Sequence, residues 1–184
     1  MAAGGTQGLT AARSGVVLNH VGVTVPDVRA AVAWYGEVFG FRCIMGPRVL
    51  RGTAAATAET RSLFGDDFRV AYQAHLLTAG GVGLELFEFV DPSESRREPG
   101  LGNLRPGPWH ICLTEPDVEG AAARVEGAGG SRLAPVADFV PGRPFRLVYC
   151  ADPCGTVIEL MSHSYAEVFA NWPHPGMEEE TEYL

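Results

Sequence analysis

Two histidines and two glutamates recur at matching places in the two halves of this chain, and together they make a ligand set for a divalent metal ion. His20 opens the segment HVGVTVPDV and His110 opens HICLTEPDV, which share His, Thr, Pro, Asp and Val. Later in each half, GVGLEL places Glu85 and GTVIEL places Glu159 at equivalent positions. Neutral imidazole and carboxylate together suit a borderline divalent ion such as Zn, Ni, Co, Mn or Fe. A lone strand histidine is ordinarily a hydrogen-bonded core residue, and a lone strand glutamate ordinarily faces solvent. Four such residues at repeat-equivalent positions in otherwise apolar strands are different, because a buried carboxylate is costly unless it is paired or metal-bound. One ion held by His20, Glu85, His110 and Glu159 is therefore expected, with further coordination positions open to substrate oxygens.

The elements that must position these groups repeat as well. VVLNHVGVTV is rich in β-branched residues and reads as a strand. Asp27 is a good N-cap for a helix with Val28, Ala31, Val32, Tyr35, Val38 and Phe39 on one face, and Gly40 ends it. A short strand around FRCIM, a loop from about Gly46 to Asp67, and strands over FRVAYQAHLLTA and GVGLELFEFV complete the first half. The second half repeats the plan: a strand over PWHICLT, a helix from Pro116-Asp117 stopped by Gly127, Gly129 and Gly130, and strands near SRLAPVADF, FRLVYC and GTVIELMSH. The expected division is a flexible tail over 1–14, a βαβββ module over 15–90, a linker over 91–106, a second βαβββ module over 107–163 and a solvated acidic tail over 164–184. The fold class is α+β. One such unit alone leaves a sheet face exposed, so the two must pair, and pairing about a pseudo-twofold axis brings the His and Glu residues to one cavity.

Strand alternation extends the list, since residues two apart share a face. Phe87 falls beside Glu85, Cys112 beside His110, and Met161 beside Glu159. His75, Gln73 and Arg69 share one strand face and could line the cavity. Glu88 is expected at the surface, His163 at the rim, and His174 exposed.

The stretches LNHVGVTVPDVRAAVAWYGEVFGF, GVGLELFEF, WHICLTEPDVEGAAARVEGAGG and DPCGTVIEL resemble the vicinal oxygen chelate superfamily, which includes glyoxalase I, methylmalonyl-CoA epimerase, type I extradiol dioxygenases and the fosfomycin and bleomycin resistance proteins. The resemblance spans about residues 16–163. It implies paired βαβββ modules forming a half-open barrel around the metal, in a protein that dimerises. It also places His20, Glu85, His110 and Glu159 at the four metal positions of glyoxalase I. In the epimerase the position of Glu85 is typically Gln, and in the dioxygenases and fosfomycin enzymes only two His and the final Glu bind metal. Glu85 thus favours isomerase or lyase chemistry: a substrate chelated through two adjacent oxygens, with Glu159 as the base and Glu85 as its pseudo-symmetric partner. Two alternatives remain at this point, a non-haem Fe(II) ring-cleaving dioxygenase using His20, His110 and Glu159, and a resistance-type protein that binds a drug or metabolite without turnover.

Composition narrows the partners. The chain has 184 residues, 46% of them hydrophobic and 20% charged, which is the balance of a globular domain. A formal charge of -8 with no basic cluster argues against nucleic acid and leaves a small-molecule substrate. Cys43, Cys112, Cys150 and Cys154 form no CxxC pair and are expected to be buried free thiols. No apolar run is long enough to span a bilayer. A cytoplasmic location is the resulting expectation, and the family resemblance adds that the chain forms a homodimer.

Overall fold

The computed structural model describes residues 15–52, 63–93, 102–104, 106–170 and 174. The expected 1–14 tail, most of the 91–106 linker, part of the 46–67 loop and the acidic run Glu178–Glu180 lie outside the described residues.

Two sheets carry the two halves of the repeat. The first contains β1 (His20–Thr24), β2 (Arg42–Arg51), β3 (Val70–Leu77) and β4 (Gly83–Asp91) in the order β1-β4-β3-β2. The second contains β5 (Ile111–Thr114), β6 (Ser131–Arg132), β7 (Ala137–Asp138), β8 (Arg146–Ala151) and β9 (Val157–Met161), in the order β5-β9-β8-β6 with β7 also on β8. In both, the strand that opens the half runs parallel to the strand that closes it. No strand pairing joins the two sheets among the described residues, so they do not close into a barrel.

Helix α1 (Val28–Phe39) follows the expected pattern closely. Asp27 accepts from the backbone N–H groups of Arg29 and Ala30, Gly40 takes the left-handed conformation at φ 68°, and Val28, Ala31, Trp34, Tyr35 and Val38 are buried. Glu88 departs from expectation. It points away from Glu85 as the strand period requires, but its Oε2 accepts from the Val28 N–H at 3.0 Å. A carboxylate at a helix N-terminus meets both orphan donors and the positive end of the helix dipole. Helix α2 (Val118–Gly127) runs through Gly127 rather than stopping there. Gly129, at φ 84°, makes the turn, and a Cβ on Gly130 would sit 2.5 Å from the Ala151 carbonyl oxygen.

Three further expectations are corrected. The strand at FRCIM continues to Arg51, passing Gly46-Pro47 with shifts of register; β2 lies at the end of the sheet order, where a proline costs no ladder bond. The strand expected over SRLAPVADF is two short pieces, because Pro135 between them has no N–H to donate. The segment after 163 is not simply a solvated tail: Ser164 and Glu167 form a capping box for α3 (Tyr165–Phe169), Val168 is fully buried, and His174 is buried with Nε2 2.6 Å from the Val168 carbonyl oxygen. Val168 packs with Val140, Phe145 and Met161 over one end of the second sheet.

The halves share one core, drawn from α1, β3, β4, α2, β8 and β9. Polar stitches cross it: Trp34 Nε1 donates to the Ala128 carbonyl at 3.0 Å, and the Tyr35 hydroxyl donates to Asp152 Oδ2 at 3.0 Å. Asp152 is itself buried, and its other oxygen accepts from the Cys154 and Thr156 N–H groups. Burial, followed by the Asp152 charge, pushes the Tyr35 phenol well above its ordinary range, so it remains a donor. Tyr35→Phe removes that donor from a buried carboxylate and should cost about 1–3 kcal/mol of stability, read as a lower urea midpoint with an unchanged slope.

Candidate metal-binding and catalytic site

Each sheet presents a histidine beside a carboxylate on the face away from the helices. His20 Nε2 lies 3.3 Å from Glu85 Oε2, and His110 Nε2 lies 3.1 Å from Glu159 Oε2. The β-ladder explains the placement. Gly22, two residues after His20, is the register partner of Glu85, and Cys112, two after His110, is the partner of Glu159.

The antiparallel hairpins supply a third member to each pair. In the first half His75 is the register partner of Glu85, with its Nδ1 3.5 Å from Glu85 Oε1. In the second half the equivalent position, opposite Glu159, is Tyr149. Tyr149 stacks on Trp109, which also meets the His110 ring edge-on. The repeat therefore reads His20, Glu85 and His75 against His110, Glu159 and Tyr149. Hairpin arithmetic reveals this in the sequence, since His75 and Glu85 are equidistant from Gly80, as Tyr149 and Glu159 are from Cys154.

The surroundings of the two carboxylates differ. Glu85 Oε1 accepts from the Gln73 side-chain amide at 2.8 Å, and Gln73 in turn accepts two bonds from Arg48. Phe87 stands next to Glu85 within an aromatic group of Phe64, Phe68 and Phe89. Glu159 is buried at 7% exposure and is flanked by protic groups. Burial, then the Glu159 charge and a hydrogen bond to it, push both the Cys112 thiol and the Tyr149 phenol up to about 12. Both are consequently neutral donors toward that carboxylate at neutral pH.

Of the residues singled out from sequence, His20, His75 and Glu85 come together, as do His110, Cys112 and Glu159. Met161 joins the apolar cover contributed by Phe145 and Val168. Arg69 does not reach the site: its guanidinium donates to the Asp66 and Phe68 carbonyls. His163 bonds Ser162 and packs on Phe145. Cys43 and Cys112 are exposed, so only Cys150 fits fully the expectation of buried thiols.

The donor types fit a divalent ion, and two imidazole nitrogens, His75 Nε2 and His110 Nδ1, are buried without a hydrogen-bond partner. The geometry delivers the expected ligands as two pairs: among the described residues of one chain, no group of three or more His, Cys, Asp or Glu is arranged to hold an ion. A groove of about 700 Å³ runs between β1 and β5, lined by Val21 to Thr24, Trp109 and Thr156 among others. It reaches His110 but not His20, Glu85 or Glu159. The two His–Glu pairs lie on the sheet faces, outside this groove's lining except for His110.

The Cys112 thiol gives a direct probe of Glu159. In metal-free protein at pH 8.5, Glu159→Gln removes the neighbouring negative charge, so Cys112 alkylation should accelerate about 3- to 10-fold. Peptide mapping of the labelled thiols distinguishes it from Cys43.

Comparison with known proteins agrees with the fold. Residues 17–160 match the model of the Glyoxalase/Bleomycin resistance protein/Dioxygenase superfamily. A 2-epi-5-epi-valiolone epimerase from Actinomyces sp. is 32% identical over 150 residues, covering 80% of this chain and 79% of the relative. Among solved structures, a glyoxalase family protein from Bacillus cereus superposes with a TM-score of 0.67 at 18% identity, covering 83% of this chain and 97% of the other. The fosfomycin resistance protein FosX from Listeria monocytogenes, crystallised as a mutant with Mn(II) and 1S,2S-dihydroxypropylphosphonic acid, gives 0.54 at 17% identity, covering 85% and 98%. With the family model spanning most of its length, this chain belongs to the Glyoxalase/Bleomycin resistance protein/Dioxygenase superfamily.

Proposed function

We propose that this chain is a metal-dependent isomerase that moves a proton on the carbon next to a carbonyl, in a small substrate bound through two adjacent oxygens. The observation that carries the reading is the pairing of each carboxylate with a histidine at equivalent positions of the repeat, His20 with Glu85 and His110 with Glu159. A relative of similar length whose name is that of an epimerase supports it.

His20, Glu85, His110 and Glu159 would hold the ion. The two pairs lie on separate, open sheets, so the reading includes a homodimer in which the first-half pair of one chain meets the second-half pair of its partner. When bound, the ion supplies Lewis acidity, lowering the cost of negative charge on the carbonyl oxygen as the neighbouring proton leaves. Glu159 is the group that takes the proton. The neutral Tyr149 and Cys112 beside it are placed to donate hydrogen bonds to its charged form. Glu159 gives the proton up to solvent, and a solvent proton delivered to the opposite face of the same carbon inverts the centre with no net change in atoms or electrons. The Phe64, Phe68, Phe87 and Phe89 rings form an apolar wall that keeps water from competing at the first-half face.

The test is isotope exchange. Metal-reconstituted protein in deuterium oxide, given 2-epi-5-epi-valiolone or simple α-hydroxy ketones, should wash deuterium into the carbon next to the carbonyl, followed by proton NMR. Glu159→Gln should slow this by about 10²- to 10⁴-fold. Turnover without any deuterium in substrate or product would contradict the proposal.

A further inference from the structure

The two half-sites depart from their own repeat at one buried position. Gln73 sits two residues before His75, and the equivalent residue, two before Tyr149, is Leu147. Gln73 is only 5% exposed, so a polar side chain has replaced an apolar one where an unbonded amide would be costly. All its near neighbours at the site are accounted for. Arg48 Nε and Nη2 donate to Gln73 Oε1 at 3.1 and 2.8 Å, and Gln73 Nε2 donates to Glu85 Oε1 at 2.8 Å. Because a guanidinium can only donate, the Gln73 oxygen must face Arg48, and the NH₂ group must face Glu85.

The backbone is built to allow this relay. Register shifts on either side of Met45 bring Arg48 opposite Gln73. The shift turns on Gly46, at φ 95°, where a Cβ would lie 2.6 Å from the Gln73 carbonyl oxygen. Irregularities of this kind re-aim side chains at a strand edge. Here the re-aimed side chain is Arg48.

We infer that Gln73, oriented by Arg48, is a positioning residue that holds Glu85 in one orientation toward His20, as a preset ligand for the ion. The inference rests on the metal-site reading above. Glu85 Oε1 is tied to the neutral Gln73 amide, with His75 Nδ1 3.5 Å from the same oxygen, and Oε2 is left facing His20 Nε2. Among the described residues no side-chain amide bonds Glu159, whose neighbours are His110, with Nε2 at 3.1 Å, and the Cys112 and Tyr149 side chains.

The experiment pairs two variants with two readouts. Gln73→Leu installs the residue of the other half, and Arg48→Met leaves Gln73 in place but frees its amide to rotate. Metal affinity of each variant, by calorimetric titration without substrate, is expected to fall about 10- to 100-fold for Gln73→Leu, the usual range for outer partners of metal ligands. For Arg48→Met the expected loss is smaller, about 3- to 10-fold. A merely structural role would instead lower the thermal midpoint while leaving affinity within twofold of wild type, and that result overturns the inference. The second readout needs no metal. The Gln73 side-chain amide resonance in a nitrogen-15 spectrum should shift in Glu85→Ala and in Arg48→Met, and stay in place in Glu159→Gln. A resonance unmoved by Glu85→Ala overturns the relay. If the wild-type chain bound no metal, the site reading would fail on its own, and the amide resonance would still decide whether Gln73 holds Glu85.

Discussion

A carboxylate taken out of water must find positive charge or hydrogen-bond donors, and much of the site's construction follows from meeting that demand twice. Glu159 is buried in the middle of the second sheet, and Glu85 occupies the equivalent place in the first. Each has a histidine on the neighbouring parallel strand and a further polar side chain on the neighbouring antiparallel strand. Because the parallel strand opens each half and the antiparallel strand precedes its close, the βαβββ order is what allows three segments distant in sequence to meet at one carboxylate. The helices serve the same arrangement from behind, with Tyr35 and Asp152 fixing the first helix against the turn that leads into Glu159's strand.

The near-symmetry of the halves makes their differences informative. His75 is matched by Tyr149, Gly22 by Cys112, and Gln73 by Leu147. The first carboxylate is consequently held by an amide that a guanidinium orients, while the second lies beside the Cys112 thiol and the Tyr149 phenol, both raised in part by its own charge. The two carboxylates thus sit in different surroundings, while the strand register that positions the shared His and Glu is equivalent in the two halves.

Much of this was legible in the residues. Asp27 and Gly40 mark both ends of the first helix because capping is local, and the four His and Glu positions stand out because the internal repeat sets them at equivalent places in the two halves. What escaped depends on distant parts of the chain. Gly46-Pro47 reads as a strand breaker, yet at a sheet edge the missing donor costs nothing and the strand continues. Glu88 has the wrong parity for the site, and only the fold reveals that the Val28 N–H waits on the other side. His174 lies among prolines and looks exposed until Val168 and Phe145 cover it. Tyr149 and the Gln73 bond were within reach of hairpin arithmetic, which requires knowing that the flanking strands pair directly.

Whether the two half-sites serve one ion is read most directly by titrating the metal-free protein with a single divalent metal. One ion should bind per chain, with tight binding abolished by His20→Ala and equally by His110→Ala, since each removes a ligand from the same coordination shell. Two ions per chain, or a variant of either half that keeps full stoichiometry and affinity, would contradict the shared site.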